Sequence, residues 1–342
     1  MKIAILIPNF SKFDGGARAA ELQAEELAEE GNHVAIFALT ADIKPKNAAL
    51  FIMGTPKSLL WRRIYLLLFP LDLFKTFRWL PRLKKFDMVI VHLYPLTWLA
   101  FLAKKIYKVK YTFWYHGIAD PQFFPHLYER IYMRLQIFLT KLAVRNVDRA
   151  VAVSKFAQAE LKKYTGLDSE VIYNEVVPER FHPGIDGTKI RQRHNLGDAP
   201  VILSVGRVCP QKGFHLLIQA FNIVKETIPN AKLVIVGKHD YDYYSKQLRE
   251  LSNDSVIFSN YIPDEDMPYY YAMCELYATC SLWETYNRPL VEAQACGKPV
   301  VAFNMGPHSE VINEQGILVE TGNVEKFAQA CVEKLRQMRG IQ

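Results

Sequence analysis

Short apolar runs alternate with helical segments along almost the whole chain, in two successive series. The first series has runs at 2–8, 33–39, 87–93, 109–116 and 149–154, and the second at 201–206, 231–237, 255–260, 276–280 and 299–303. Continuous apolar runs of this length, separated by helices, are typical of parallel strands buried on both faces of a sheet. A polar stretch over 170–190 separates the two series. The sequence therefore predicts an α/β protein made of two doubly wound domains.

The composition is that of an ordinary globular protein rather than a disordered one. Of its 342 residues, 50% are hydrophobic and 23% are charged, so each domain can bury its own core. The cysteines all lie in the second half and none forms a CxxC pair, which indicates reduced, mostly buried thiols. The run MKIAILIPNF enters the first predicted strand directly and lacks the pattern of a secretory signal. We therefore expect a cytoplasmic protein.

The positive charge of the chain is concentrated in its first half. Residues 1–165 contain 25 Lys and Arg against 13 Asp and Glu, whereas residues 166–342 contain 17 against 22. Such a surplus on one half indicates that this half meets an anionic partner. Nucleic acid is disfavoured, because no nucleic-acid-binding motif is recognised. An anionic bilayer and a phosphorylated acceptor both remain compatible with the surplus.

The stretch 58–85 interleaves aromatic with basic side chains. Its aromatic residues include Trp61, Phe69, Phe74, Phe77 and Trp79, and its basic residues are Arg62, Arg63, Lys75, Arg78, Arg82, Lys84 and Lys85. The longest uncharged run is far shorter than the roughly 20 residues of a membrane span. We expect a helix that lies in a bilayer interface on the inner face of the membrane, with Trp61 and Trp79 as anchors. The alternative is an ordinary helix with a buried apolar side and a solvated basic side.

Two predicted strand-end loops have residues suited to phosphate. The loop Asp14-Gly15-Gly16 precedes a helix, and paired glycines allow the backbone to approach a ligand at the helix N-terminus. It is not a GxGxxG fingerprint, which argues against a nicotinamide enzyme. The loop at 204–213 places Arg207 and Lys212 after the first strand of the second series. Two cations there can clamp a diphosphate, although either one alone would be interpreted as a surface cation.

A third loop, at 283–293, has two glutamates close to a predicted helix start. Glu284 precedes the helix and Glu292 lies inside it, while a proline fits the first turn. The backbone N–H groups around Leu290 and Val291 are expected to point at a phosphate. An acid/base pair of the glycosidase kind is disfavoured, because both carboxylates would have to face one bond.

Taken in order along the chain, these motifs resemble the retaining glycosyltransferases of the GT-B fold, group 1 (family 4) type. The resemblance is carried by the glycine pair, the two cations, the two glutamates, the segment 297–312 and the linker-like segment 173–183. It implies two Rossmann-like doubly wound domains facing each other across a cleft. Residues 1–170 would bind the acceptor, residues 171–325 would bind the nucleotide-sugar donor, and 326–342 would form a C-terminal helix that is short for the family.

The resemblance also implies roles for individual residues. Arg207 and Lys212 would bind the donor diphosphate, Glu292 the ribose, and Glu284 and His116 the transferred sugar. The predicted catalytic residues are Arg207, Lys212, Glu284 and His116, and the predicted donor-binding residues are Gly15, Gly16, Arg207, Lys212, Asn287, Arg288, Leu290, Val291 and Glu292. Asn287 departs from the family, which usually has glycine there, and Arg288 is also unusual.

The implied reaction moves a hexose or an N-acetylhexosamine from a UDP- or GDP-type sugar to a lipid-linked or membrane-surface glycan acceptor. No cofactor and no metal are expected. Asp240-Tyr241-Asp242 superficially resembles a DxD metal motif, but it is interpreted as a solvated turn. Three alternatives are a nucleotide-sugar epimerase of the same fold, a sugar phosphorylase, and a non-catalytic nucleotide-sugar binding protein.

Overall fold

The computed structural model describes residues 1–11, 15–124 and 126–340, and the chain divides into two compact units. The first unit is Met1–Asn174 and the second begins at Glu175. Each unit has one sheet, and all strand pairings in the described residues are parallel. The predicted α/β class with two doubly wound units is therefore confirmed.

The first unit is built on a seven-stranded sheet with the order β3-β2-β1-β4-β5-β6-β7. Its elements are β1 (Lys2–Phe10), α1 (Gly15–Glu29), β2 (His33–Ala41), β3 (Ala49–Ile52), α2 (Leu59–Leu68), α3 (Leu73–Leu83), β4 (Met88–Val91), α4 (Thr97–Tyr107), β5 (Lys110–Tyr115), α5 (Leu127–Val144), β6 (Arg149–Ala152), α6 (Lys155–Thr165) and β7 (Glu170–Val171). The strand order reverses between β1 and β4, where ligands bind in open α/β sheets.

Small side chains bring the first helix close to the centre of this sheet. Ala17, Ala20 and Ala24 lie on one face of α1 and are completely or almost completely buried. They pack in one core cluster with the isoleucines of β1, including Ile3 and Ile5. Burial of β1 on both faces explains its unbroken apolar run.

The second unit has a six-stranded sheet with the order β10-β9-β8-β11-β12-β13. Its elements are α7 (Thr188–Arg193), β8 (Val201–Val205), α8 (Phe214–Thr227), β9 (Lys232–Val236), α9 (Asp242–Leu251), β10 (Val256–Phe258), α10 (Met267–Met273), β11 (Leu276–Thr279), α11 (Arg288–Ala295), β12 (Val300–Phe303), α12 (His308–Val311), β13 (Ile317–Val319) and α13 (Val324–Arg339). Hydrophobic clusters cover both faces of the sheet. The order reverses between β8 and β11, so the carboxyl ends of these strands are the expected place for a ligand.

The stretch 58–85 forms two helices instead of the single predicted helix. A 3-10 helix over Phe69–Leu71 separates α2 from α3, because Pro70 cannot continue the hydrogen-bond ladder of α2. Asp72 then caps α3 by accepting from the Lys75 N–H at 2.9 Å. Within the described residues, no helix has both the length and the apolar character needed to cross a membrane.

The prediction that Trp79 anchors the protein to a bilayer interface is wrong. The Trp79 ring is buried and packs edge-on against Phe37 and Phe51 of the sheet. The Arg82 guanidinium covers it, with 4.2 Å between the guanidinium carbon and the ring centroid. This aromatic side chain therefore belongs to the core of the first unit, and only Trp61 of the two predicted anchors is exposed.

The remaining sequence predictions about local structure agree well with the fold. All ten predicted apolar runs contain a strand, whereas the short strands β3, β7 and β13 are not predicted. The five cysteines are all buried and free: Cys209, Cys274, Cys280, Cys296 and Cys331.

Candidate active site

Close backbone contacts hold the strand-end loops of the second unit together. A Cβ atom at Gly213 would lie 1.9 Å from the carbonyl oxygen of Cys280, at the end of β11. A Cβ atom at Gly237, after β9, would lie 1.8 Å from the carbonyl oxygen of Gly206, after β8. Only glycine permits this approach. The loops that follow β8, β9 and β11 therefore form one packed surface at the switch point.

Lys212 and Glu284 meet on this surface. Lys212 ends a 3-10 helix over Pro210–Lys212, and its Nζ lies 2.5 Å from Glu284 Oε1. The same oxygen accepts a hydrogen bond from Ser281 Oγ at 3.0 Å. The two charged side chains are only 21% and 10% exposed. The ammonium group is thus held in a defined position by a buried carboxylate.

Arg207 is the more exposed of the two predicted clamp cations. Its guanidinium pairs with Asp240 at 3.1 Å, and its side chain is 58% exposed. Burial raises the pKa of the Cys209 thiol, whereas Arg207 and Lys212 both act to lower it. Both cations therefore lie around Cys209. Asp240, interpreted from the sequence as part of a solvated turn, is exposed outside the helices and strands and is also the ion-pair partner of Arg207.

Asn287 is the buried N-cap residue of α11. Its backbone is left-handed, with φ of 62°, which glycine and asparagine adopt most readily. Its Oδ1 accepts from the Leu290 N–H at 3.4 Å, and its Nδ2 donates to His308 Nε2 at 2.8 Å. The Leu290 N–H also points at the Asn287 carbonyl oxygen, at 3.1 Å. This differs from the prediction, in which the Leu290 N–H faces a phosphate.

The buried histidine next to Asn287 is held neutral. His308 Nδ1 donates to the carbonyl oxygen of Phe303 at 2.7 Å, so Nε2 is free to accept from Asn287. Burial lowers the pKa of His308. The sequence analysis did not single out this residue, which ties the loop of Asn287 to the end of β12.

Glu292 is a buried carboxylate with two hydrogen-bond donors. Tyr271 donates its hydroxyl to Glu292 Oε2 at 2.8 Å, and Arg288 Nε lies 2.9 Å from Oε1. Burial raises the pKa of Glu292, although Arg288 and Tyr271 oppose that effect. The unusual Arg288 therefore orients the predicted ribose-binding group. Val291 lies between these two residues on α11.

In the first unit, the predicted glycine pair lies at the switch point. Gly15 and Gly16 are the first residues of α1, and among the described residues no atom would lie within 4 Å of a Cβ at Gly15. Asp14, which precedes them in the predicted loop, lies outside the described residues.

His116 follows β5 and is bonded to a second histidine that sequence reasoning missed. His92 follows β4, and its Nδ1 lies 2.8 Å from His116 Nε2. The other nitrogen of His92 lies 3.1 Å from Gln23 Oε1 on α1. Burial lowers the pKa of His116 to about 4 and that of His92 well below its usual range. His92 ends an apolar run just as His116 does, so its position was an available signal.

The second unit has two cations and two buried carboxylates at its switch point, and the chain has another doubly wound unit. This combination is characteristic of GT-B glycosyltransferases. Two family models match the chain: "Glycosyltransferase Family 4" over residues 13–180 and "Glycosyl transferases group 1" over residues 186–337. The chain belongs to the group 1, family 4 type of glycosyltransferases.

Relatives and solved structures agree with this assignment. The GDP-mannose-dependent alpha-(1-6)-phosphatidylinositol monomannoside mannosyltransferase of Mycolicibacterium smegmatis is 31% identical over 47% of this chain and 45% of its own length. Mannosylfructose-phosphate synthase of Agrobacterium fabrum is 32% identical over 51% of this chain and 40% of its own. The match thus spans less than half of either relative. The structure of Anabaena HepE with UDP-glucose shares the fold, with a TM-score of 0.77 at 19% identity, covering 100% of this chain and 97% of that one.

Proposed function

We propose that the protein is a retaining, metal-independent glycosyltransferase that moves a hexose or an N-acetylhexosamine from a nucleotide diphosphate sugar to an acceptor. The observation that carries this proposal is the position of Arg207 and Lys212 beside their carboxylate partners at the switch point of the second unit. Family membership supports the reaction class. The mycobacterial relative, a GDP-mannose-dependent mannosyltransferase, supports a donor of UDP or GDP type.

In the proposed reaction, the two cations stabilise negative charge that builds on the diphosphate as the sugar leaves. Glu284 holds Lys212 and Asp240 holds Arg207 before the donor binds, so little reorganisation is needed during the reaction. The cations supply the positive charge that a divalent metal would otherwise provide. The leaving diphosphate takes the proton of the acceptor hydroxyl on the same face of the sugar, without an enzymic nucleophile.

Product analysis with radiolabelled UDP- and GDP-sugars tests this function. We expect the label to move to an acceptor, equally with and without EDTA, and the product to have the anomeric configuration of the donor. An epimerised donor, cleavage that requires inorganic phosphate, or a donor that binds and stays unchanged would each overturn the proposal in favour of one of the three alternatives.

The two glutamates are expected to act at different steps. Glu292→Gln should weaken the binding of the free nucleoside diphosphate about tenfold, because a charged hydrogen-bond acceptor for the ribose is lost. Glu284→Gln should leave that affinity unchanged and lower kcat, because Glu284 is proposed to contact the transferred sugar, whereas the glutamine amide oxygen can still accept from Lys212. Calorimetry with UDP and GDP, followed by turnover assays, measures the two effects. Glu333→Gln, on an exposed position of α13, is the control, and identical behaviour of the two site variants would contradict this division of roles.

We further propose that the acceptor is presented at an anionic membrane surface on the cytoplasmic side and is bound by the first unit. Of the 21 exposed large hydrophobic side chains in the described residues, 13 lie on α2, α3, α5 and the 3-10 helix over Phe69–Leu71. We call these 13 side chains the apolar face: Leu60, Trp61, Ile64, Leu68, Leu71, Leu73, Phe74, Phe77, Leu127, Tyr128, Ile131, Leu135 and Phe138. Exposed apolar clusters of this size mark interaction surfaces.

Helix α5 was not part of the membrane prediction and extends the apolar face. Leu127, Ile131 and Leu135 follow one another at four-residue spacing, which places them on one side of the helix. An ion pair between Arg63 and Glu129, at 3.4 Å, joins α2 to the same helix. The exposed cations on these helices and just after α3 are Arg62, Arg78, Lys84, Lys85, Arg130, Arg134 and Lys141.

Apolar side chains surrounded by cations suit an anionic bilayer, where each cation contributes about 1 kcal/mol. Trp61 would add interfacial anchoring. The mycobacterial relative, whose name gives a phosphatidylinositol mannoside as its acceptor, supports a lipid-linked acceptor.

Vesicle co-sedimentation tests the membrane proposal. Binding should appear with anionic vesicles and weaken with added salt, because the attraction is electrostatic. Replacing Arg62 and Arg78 together by serine should lower the partition coefficient about 30-fold, the effect of removing about 2 kcal/mol. The pair Lys44→Ser and Lys46→Ser removes the same charge outside the apolar face and should bind as the unaltered protein does. No binding to anionic vesicles at low salt, or equal losses in both pairs, would contradict the proposal.

A further inference from the structure

A groove runs along the exposed side of α2 in the first unit. Its volume is about 460 Å³, which lies within the range of small-molecule sites in proteins. Trp61, Ile64 and Leu68 line it and recur at three- and four-residue spacing, so they lie on one side of the helix. Pro56 and the ring of Tyr65 complete the apolar lining. This part of the apolar face is therefore concave, and it can surround a slender apolar ligand.

Contacts of Tyr65 hold one wall of the groove in place. The Tyr65 hydroxyl donates to Asp72 Oδ2 at 3.1 Å, and the Lys75 ammonium lies 4.8 Å from the centroid of the Tyr65 ring. The same ring packs edge-on against Phe69, which is 1% exposed. Because the wall is already ordered, a ligand that enters the groove does not have to order it, and binding loses little conformational entropy.

The groove is polar at one end only. Lys57 and Ser58 lie at the start of α2, and the rest of the lining is apolar or aromatic. Ser58 is the N-cap residue, but its side chain makes no capping hydrogen bond, and the first turn of α2 has no acidic residue. The Lys57 ammonium and the positive end of the helix dipole therefore favour an anion at this end. The described residues that line the groove include no acidic side chain to compete with that anion.

The polar end of the groove lies near the carboxyl edge of the sheet. Lys57 follows Ile52, the last residue of β3, by five positions. At the other end of α2, the Tyr94 hydroxyl donates to the Leu67 carbonyl oxygen at 2.5 Å, and Tyr94 follows the end of β4 by three positions. Helix α2 thus lies beside the carboxyl ends of β3 and β4, at the edge where ligands bind in open α/β sheets.

A lipid phosphate matches both the apolar walls and the positive end of the groove. A second copy of this protein is a poorer occupant, because residues 1–165 contain 25 Lys and Arg against 13 Asp and Glu, and two such surfaces repel each other. We propose that the groove binds one alkyl or isoprenyl chain of the acceptor, with the phosphate of the acceptor at Lys57 and the start of α2. This inference rests on the proposed function for the lipid-linked nature of the acceptor. It gives the acceptor a lipid-chain site on the protein, in addition to the contact between the apolar face and the bilayer.

Soluble alkyl phosphates test the lipid-chain site without a membrane. Hexyl to tetradecyl phosphates, each below its critical micelle concentration, are titrated into the protein in a calorimeter. Affinity should rise about fourfold for each added methylene, the effect of burying one CH₂ group. The rise should stop once the lipid chain fills the groove, which follows α2 for about 10 Å from Trp61 to Leu68. An affinity that keeps rising with chain length, or binding that does not saturate at one ligand per protein, would overturn the inference.

Trp61 reports where the lipid chain lies. Decyl phosphate with a terminal bromine atom should quench the fluorescence of Trp61, since bromine quenches tryptophan at close contact. The protein has five tryptophans, so Trp61→Phe, which keeps an aromatic side chain in the groove, identifies the contribution of this residue. The quenching should be lost in that variant. Equal quenching in both proteins would place the lipid chain elsewhere and overturn the inference.

Two charge substitutions separate the groove from the rest of the apolar face. Ile64→Glu places a carboxylate among the apolar walls and should lower decyl phosphate affinity about tenfold or more. Phe77→Glu places the same charge on α3, outside the groove, and should leave that affinity unchanged while weakening vesicle binding. Ile64 and Phe77 are 38% and 75% exposed, so neither change should unfold the protein. Equal losses of decyl phosphate affinity in the two variants would contradict the assignment of the lipid chain to the groove.

Lys57→Ser tests the position of the phosphate. It should weaken decyl phosphate binding about fivefold, the effect of one lysine beside an anion, and leave 1-decanol binding unchanged. Lys44→Ser, at an exposed position outside the groove, is the matched control. If both variants bind decyl phosphate equally well, the phosphate does not lie at Lys57 and the proposed orientation is wrong. If the unaltered protein binds decyl phosphate with the expected plateau but transfers no sugar to a lipid-linked acceptor, the proposed function fails and the lipid-chain site stands.

Discussion

Lys212→Ala is expected to lower turnover by roughly 10²–10³, the scale of losing one preorganised electrostatic contact in a transition state. The Lys212 ammonium is fixed 2.5 Å from Glu284 in a largely buried pair, so no other mobile cation can replace it easily. Arg207→Ala should have an effect of the same order, because the same diphosphate charge loses one of its two partners. Steady-state kinetics with the identified donor measures both losses.

The Lys212 variant also leaves the buried Glu284 carboxylate without its cation. This should destabilise the second unit by about 1–3 kcal/mol, the cost of an unsatisfied buried group. The double variant Lys212→Ala with Glu284→Gln should recover that stability but not the activity. Lys246→Ala, on an exposed position of α9, is the matched control. A Lys212 variant with near-normal turnover would remove the diphosphate role, and a double variant that regains activity would show that only stability had been lost.

The sequence predicts the two sheets well because a buried strand produces a continuous run of apolar residues. A strand such as β1, covered on both faces, must be apolar at nearly every position. The two residues of β7 are too few to form a recognisable apolar run. The shape of the 58–85 stretch was also missed, since composition does not show that Pro70 ends α2 or that Trp79 turns into the core.

In the candidate site, the sequence predicts which residue types are present but does not predict which side chains contact one another. The sequence identifies Lys212 and Glu284 as charged strand-end residues, but they are 72 positions apart and only the fold brings them together. The same holds for Gln23 and His92, which are 69 positions apart. Short motifs indicate which residues reach the end of a strand. Which of these side chains pair with one another depends on strand order and on long-range packing.

Asn287 illustrates how a departure from a family pattern can preserve its backbone. Glycine is usual at this position, and the sequence alone leaves open whether asparagine disturbs the loop. The observed φ of 62° is one that asparagine tolerates better than other non-glycine residues. The side chain then adds bonds to Leu290 and His308 that glycine could not make. Asparagine therefore maintains the backbone of the loop, and its side chain accepts from the Leu290 N–H in the first turn of α11.

The last prediction concerns the glycine that joins the loops of the second unit. Gly213 has a φ of 64°, and a Cβ there would lie 1.9 Å from the backbone oxygen of Cys280 and 3.3 Å from its Cβ. Both obstacles are backbone or first side-chain atoms, which cannot rotate away. Gly213→Ala should therefore destabilise the second unit by about 2–6 kcal/mol, from backbone strain of about 1–3 and overpacking of about 1–3.

A matched glycine separates the two contributions. Gly322 also has a left-handed backbone, with φ of 86°, but no atom in the part of the chain that the structure describes would lie within 4 Å of a Cβ there. Gly322→Ala should have only the strain contribution, so its loss of stability should be clearly smaller than that of Gly213→Ala in thermal or urea unfolding. Because Gly213 directly follows Lys212, the Gly213 variant should also lose nucleotide binding at temperatures where the protein is still folded. If the two variants unfold at the same midpoint, the close approach of the loops after β8 and β11 is not what holds this surface together.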